Sequence, residues 1–312
     1  MKKHLSALII VLMILSGCSN AVQTKGEKDS AGPKKLQIVT TFYPMYYFTQ
    51  KVAGSTADVE LLIPNGVEPH DWEPTAKDMA KIQDADLFIY NSRYFETWTE
   101  KVLKSINDPD LKVVEASSGI QLMDALESEG EDEPNSGHSA KDPHVWLSPV
   151  LAQQEVDTIA NAMEKADSAH KEQYEKNAAA FNSELAGLDR LYKETIDKAK
   201  KKEFVTQHAA FGYLAKQYGL TQIPIAGLSP DVEPTLGKLA ELTELTKKKN
   251  VKIIYFEGLT SSKVANTLAN EIGAKTEVLN PLEGLTKDEI NQNLDYIDVM
   301  KNNLETLKKS IE

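Results

Sequence analysis

Six histidines occur in the chain, and three of them share a context that could serve chemistry. His70 stands in E-P-H-D-W-E-P, His144 in D-P-H-V-W-L-S-P and His208 in H-A-A-F-G-Y, each beside a strand end and ahead of residues that start a helix. Glu283, in N-P-L-E-G-L-T, occupies the same kind of position. The three histidines are 74 and 64 residues apart, too far for a local metal knuckle and suited to a site assembled by the fold. Three neutral imidazoles and one carboxylate form a borderline-soft donor set that suits Zn²⁺ in four-coordinate geometry. His4 and His170 are poor candidates, the first in an N-terminal apolar run and the second in a polar helix among Lys and Glu. His138 lies in an acidic stretch and is either a transient metal contact or a solvated loop residue. Trp72 and Trp146, each two residues after a candidate ligand, are open to two readings: a dry wall against the metal, or ordinary core.

The elements that would position these residues alternate. Leu36 to Thr41 reads as a strand, Tyr43 to Val52 as a helix, Val59 to Ile63 as a strand and Thr75 to Asp84 as a helix with a Thr cap. Strand Leu87 to Asn91, helix Glu96 to Ile106 and strand Lys112 to Glu115 follow. The stretch from Asp124 to Asp142 is acidic, carries Gly and Pro and has no periodicity, which predicts a mobile loop. Helix Val150 to Lys165 leads into a polar run from Asp167 to Lys202 without proline, read as one long helix joining two halves. Beyond it come strand Phe204 to Thr206, helix Phe211 to Tyr218, strand Ile223 to Ala226 and helix Pro234 to Lys249. Strand Val251 to Phe256, helix Lys263 to Ile272, strand Thr276 to Leu279 and a final helix from about Lys287 to Ser310 complete the pattern. The fold class is α/β, with two lobes that each hold a roughly four-stranded parallel sheet flanked by helices. In such sheets ligands bind beyond the carboxyl ends of the strands, where His70 and His144 from one lobe could meet His208 and Glu283 from the other. The boundaries are a lobe at 34–166, a linker helix at 167–202 and a second lobe at 203–312.

Residues 1–17 read as an export signal: Lys2 and Lys3 precede an apolar run, Leu5 to Leu15, too short to span a bilayer. The run ends in L-S-G-C, and Cys18 is the only cysteine, so no intrachain disulfide is possible. Residues 18–33 are polar and Gly- and Lys-bearing, with almost nothing to bury, as expected of a flexible tether. The formal net charge of −12 excludes nucleic acid as a partner, which would need clustered positive charge, and suits a cation as ligand. The absence of H-E-x-x-H and the presence of a fourth protein donor argue against a zinc hydrolase, and no repeat or exposed apolar stripe supports a surface adhesin. The chain is not expected to be an enzyme.

The combination of L-S-G-C, F-Y-P at Phe42 to Pro44, E-P-H-D-W-E-P, D-P-H-V-W-L-S-P, H-A-A-F-G-Y and N-P-L-E-G-L-T resembles the metal-binding lipoproteins of zinc and manganese ABC importers over essentially the whole chain. The resemblance implies two α/β lobes joined by a rigid helix, with metal held between them by His70, His144, His208 and Glu283. It implies cleavage before Cys18, lipidation of its sulfur and anchorage of a monomer at the outer face of the cell membrane, where zinc passes to an importer permease. Manganese members carry a second carboxylate in place of the third histidine, so His208 favours zinc; a manganese or iron carrier of the same family remains the alternative. The loop before D-P-H is acidic here, whereas many zinc members have a His-rich one.

Overall fold

A computed structural model describes residues 35–106, 108–125 and 140–312, and residues 35–312 form one compact unit. The expected leader, Cys18, the tether, His4, His138 and most of the acidic loop lie outside the described residues.

The chain alternates strictly at first. Strand β1 (Leu36–Thr40), helix α1 (Tyr43–Ala53), β2 (Ala57–Leu61), α2 (Ala76–Gln83), β3 (Leu87–Tyr90), α3 (Thr99–Ser105) and β4 (Lys112–Glu115) build the first sheet and its cover. A 3-10 turn, Val145–Leu147, leads into α4 (Pro149–Ala166), and a second, Ser168–His170, into α5 (Lys171–Ile196). The second half repeats the pattern with β5 (Glu203–Thr206), α6 (Gly212–Tyr218), β6 (Thr221–Pro224), α7 (Leu236–Lys248), β7 (Ile253–Phe256), α8 (Lys263–Ile272) and β8 (Lys275–Val278). Helices α9 (Lys287–Asn291) and α10 (Tyr296–Ile311) close the chain.

Both sheets are parallel and share one topology, β2-β1-β3-β4 and β6-β5-β7-β8. Strand β3 (LFIY) is buried at every position, as a parallel strand covered on both faces must be. In each sheet the first strand pairs with both the second and the third, so the connections leave it in opposite directions, and a crevice opens there at the carboxyl ends.

Several predicted boundaries moved, the main ones for local reasons. The second strands begin two residues earlier than expected because ladder pairing, Leu36 with Ala57 and Glu203 with Thr221, sets their start rather than hydrophobicity. The residues just past their ends still bond to the neighbouring strand: Leu62 and Ile63 donate to the Thr40 and Thr41 carbonyls, Ile225 and Ala226 to those of Thr206 and Gln207. The long helix runs only from Lys171 to Ile196, leaving 197–202 outside it, and it starts late because Asp167 turns the chain, accepting from the His170 ring and the Tyr174 hydroxyl at 2.6 and 2.9 Å. The final helix is broken: Asn293 takes the left-handed conformation (φ 54°) and Asp295 caps a fresh start at α10 in a reciprocal capping box with Asp298.

Helix α5 buries Tyr174, Ala178, Phe181, Leu185, Leu188, Tyr192 and Ile196, one face at three- and four-residue spacing. That face joins side chains from β1, α1, α4 and α10 in a single apolar cluster that extends from Leu36 to Ile311. A smaller cluster, with Val205, Ile254, Leu242 and Leu268, fills the other face of the second sheet. No described helix is long and apolar enough to cross a membrane.

Candidate metal centre

Each candidate ligand sits just past the carboxyl end of its sheet. His70 belongs to the segment between β2 and α2, His144 immediately precedes the 3-10 turn that enters α4, His208 follows β5, and Glu283 lies between β8 and α9. The fold brings all four together, their donor atoms within 4.8 Å of one another. Glu283 Oε1 is 3.3 Å from His70 Nε2 and 3.4 Å from both His144 Nε2 and His208 Nε2. A tetrahedron with zinc–ligand bonds of about 2.0–2.1 Å has edges of about 3.3 Å, so the three separations from Glu283 match edges of such a site. His144 Nε2 and His208 Nε2 are buried without a hydrogen-bond partner, a costly arrangement unless something else fills the point they face. His144, His208 and Glu283 are buried, and the His70 side chain is 10 % exposed.

The other ring nitrogen fixes each buried imidazole. His144 Nδ1 donates to Asp142 Oδ1 at 2.8 Å, and His208 Nδ1 donates to Glu257 Oε1. Because a carboxylate only accepts, both bonds place the hydrogen on Nδ1 and leave the Nε2 lone pair for a metal. Neither Asp142 nor Glu257 was assigned a role from the sequence. Asp142 was visible in D-P-H two residues before the ligand, and Glu257 directly follows β7, at the sheet end that carries the other site residues.

Further contacts hold the carboxylates and loops. Tyr213 donates to the Asp142 carbonyl at 2.7 Å, and a Cβ at Gly212 would stand 2.8 Å from Asp142 Oδ2, which accounts for the G-Y pair in H-A-A-F-G-Y. The His208 carbonyl accepts from Thr206 Oγ1 at 2.7 Å and Gln222 Nε2 at 2.8 Å. Glu283 is presented by a turn in which Leu282 has φ 58°, a conformation that costs a branched residue free energy and marks a backbone held for a purpose. Asn280 Oδ1 accepts from the Leu282 amide at 2.7 Å, and Asn303 brackets Asn280 by accepting from its amide and donating to its carbonyl.

The dry wall is Trp146 and Phe95. Trp146 lies 5.1 Å from the His144 ring and from Phe95, and Phe95 lies 4.8 Å from the His70 ring. Trp146 Nε1 also donates to the Pro281 carbonyl at 2.8 Å, tying the His144 segment to the Glu283 turn. Trp72 is instead half-buried against the edge of the core, packed on Trp98 at 5.4 Å.

Charges at the site oppose one another. Burial would raise the Glu283 carboxyl, but the three imidazoles hold it well below the usual range. Burial pulls both buried histidines down, yet the Glu257 carboxylate drives His208 up to about 10, and Asp142 with Glu283 raises His144. For His70, burial outweighs the pull of Glu283 and lowers it.

The model of the family described as ZnuA, zinc-uptake complex component A periplasmic, matches residues 38–310. The chain is 55% identical to the high-affinity zinc uptake system protein ZnuA of Bacillus subtilis (strain 168), over all of this chain and 99% of that one. It is 48% identical to the zinc-binding lipoprotein AdcA of Streptococcus pneumoniae, across 99% of this chain but only 61% of that longer protein. A crystal structure of the Zn(II)-bound ZnuA-like domain of Streptococcus pneumoniae AdcA superposes with a TM-score of 0.77 at 49% identity, covering 89% of this chain and 99% of that domain. With the match running from the first strand to the last helix, the chain belongs to the ZnuA family of zinc-uptake components.

Proposed function

We propose that this protein captures Zn²⁺ with His70, His144, His208 and Glu283 and delivers it to an ABC-type zinc importer. The observation that supports this reading most directly is the common 3.3–3.4 Å spacing of the three Nε2 atoms from Glu283 Oε1, the edge length of a tetrahedral zinc site. Three imidazoles with one carboxylate favour zinc over manganese or iron, which take more oxygen donors. With Glu283 as fourth donor the ion would keep no position for a reactive water, so the site suits carriage rather than hydrolysis. Membership of an uptake family agrees with a protein that is not an enzyme.

The remaining parts of the reading rest on sequence. Residues 1–17 act as the leader, Cys18 carries the lipid, and 18–33 tether the body to the outer face of the cell membrane as a monomer. Residues 34–166 and 203–312 supply the two sides of the metal cleft, and 167–202 join them.

Titration calorimetry of chelated and refilled protein tests the ligand set. His144→Ala should lose at least a hundredfold in Zn²⁺ affinity, because it removes a donor and leaves Asp142 without its imidazole partner. A loss of only a few-fold would end the assignment.

A further inference from the structure

The His70 segment has few supports of its own. Between β2 and α2, Pro64, Gly66, Val67, Asp71 and Glu73 are exposed, and the local bonds are short-range: the Val67 amide to the Pro64 carbonyl, the Trp72 amide to the Pro69 carbonyl, and the His70 amide to the Glu68 carboxylate. Pro64 to Val67 form a tight turn in which Gly66, at φ 85°, takes the conformation that a type II turn requires at its third residue. That turn places Asn65 at its tip. The Asn65 Oδ1 accepts the backbone N–H of Leu285 at 3.1 Å, a bond between residues 220 positions apart. Leu285 follows Glu283 by two residues and is buried. Backbone approach is close at the same place: a Cβ on Gly284 would lie 3.7 Å from the Gly66 nitrogen and 3.8 Å from the Val67 oxygen.

The segment carrying His70 is thus fastened to the turn carrying Glu283 at two points, through the ligand pair and through Asn65. We propose that Asn65 is a latch that keeps the His70 segment closed on the Glu283 turn and so sets the rate at which zinc leaves. The inference rests on the zinc-site reading above. With the metal bound, departure requires His70 to swing outward, since it is the one ligand on an exposed segment while the other three are buried in packed surroundings. That motion must break the Asn65–Leu285 bond. Entry does not, because the open segment closes after the ion arrives. Asn65 therefore acts on dissociation and leaves association nearly unchanged.

Two variants of the full chain test this. Asn65→Leu removes the acceptor at similar size, and Asn65→Asp keeps an acceptor oxygen in the same position. In stopped-flow transfer of zinc from the loaded protein to excess chelator, Asn65→Leu should release zinc about three- to tenfold faster, the worth of one hydrogen bond, with its association rate within twofold of wild type. Asn65→Asp should release at close to the wild-type rate. Hydrogen exchange in the zinc-loaded proteins supplies a second readout, in which the Leu285 amide loses protection in Asn65→Leu and keeps it in Asn65→Asp. Tight zinc binding by wild type with unchanged release from Asn65→Leu would overturn the latch alone. A wild type that holds no zinc would overturn the site and the latch together.

Discussion

The two carboxylates behind the buried imidazoles decide how the site responds to protons. Ordinary imidazole values would let acid displace the metal below about pH 6 to 7. Glu257 changes this for His208, whose value near 10 means that the metal-free protein carries a proton there at neutral pH. Zinc must displace that proton, so affinity should continue to rise from pH 6 to pH 9 instead of levelling off above 7. Calorimetry at pH 7.5 in buffers of different ionisation enthalpy should show about one proton released per zinc. Glu257→Gln should reduce that release, flatten the pH dependence above 7 and cost about 10- to 100-fold in affinity. Equal proton release by wild type and variant would remove Glu257 from this role.

Helix α4 brings an ionisable group into the core that the metal site does not use. Glu155 is fully buried, neither carboxyl oxygen has a hydrogen-bond partner among the described residues, and burial together with Glu96 pushes its pKa well above the usual range. Glu96, also buried, is raised to about 7 even though Thr41 and the Asn91 and Ser92 amides donate to it. In the unfolded chain both titrate near 4.3, so between that pH and their folded values the native state holds extra protons. Their contribution to stability is complete below about pH 4.3 and is lost as pH rises through the folded values, at up to about 1.4 kcal/mol per pH unit for each group. Glu155→Met should therefore gain on wild type in thermal melts as pH goes from 5 to 8. Parallel pH profiles for the two proteins would contradict it.

At the scale of the molecule, the larger apolar cluster runs through both sheets. The Phe48 ring lies 5.7 Å from Phe181 and 5.0 Å from Tyr296, joining α1, α5 and α10, and Tyr192 on α5 donates to the Met300 carbonyl at 2.6 Å. Across the cleft, Trp146 reaches Pro281 and Tyr296 donates to the Trp146 carbonyl at 2.5 Å. Because this core is continuous, both halves should melt in one calorimetric transition, with calorimetric and van't Hoff enthalpies equal. Zinc at a hundred times its dissociation constant should stabilise that single transition by about 2.7 kcal/mol. Two resolved peaks, only one of them moved by zinc, would mean that the halves fold independently.

Residue type and local order determined much of this protein by themselves. Alternating strand and helix patterns gave two four-stranded parallel sheets, since period and strand length are local properties, and the placement of His70, His144, His208 and Glu283 beyond strand ends marked where they could meet. The breaks at Asp167 and Asn293 were also local but lay hidden, because a polar helix and a capped turn use the same residue types. Tertiary structure alone decided the rest. The pairing of Glu257 with His208 and of Asn65 with Leu285 joins positions 49 and 220 residues apart, and the choice of Phe95 over Trp72 as the wall beside His70 depends on which aromatic the fold turns toward the cleft. Such contacts have no periodic signature along the chain, because they arise only where separate loops converge at the ends of the sheets.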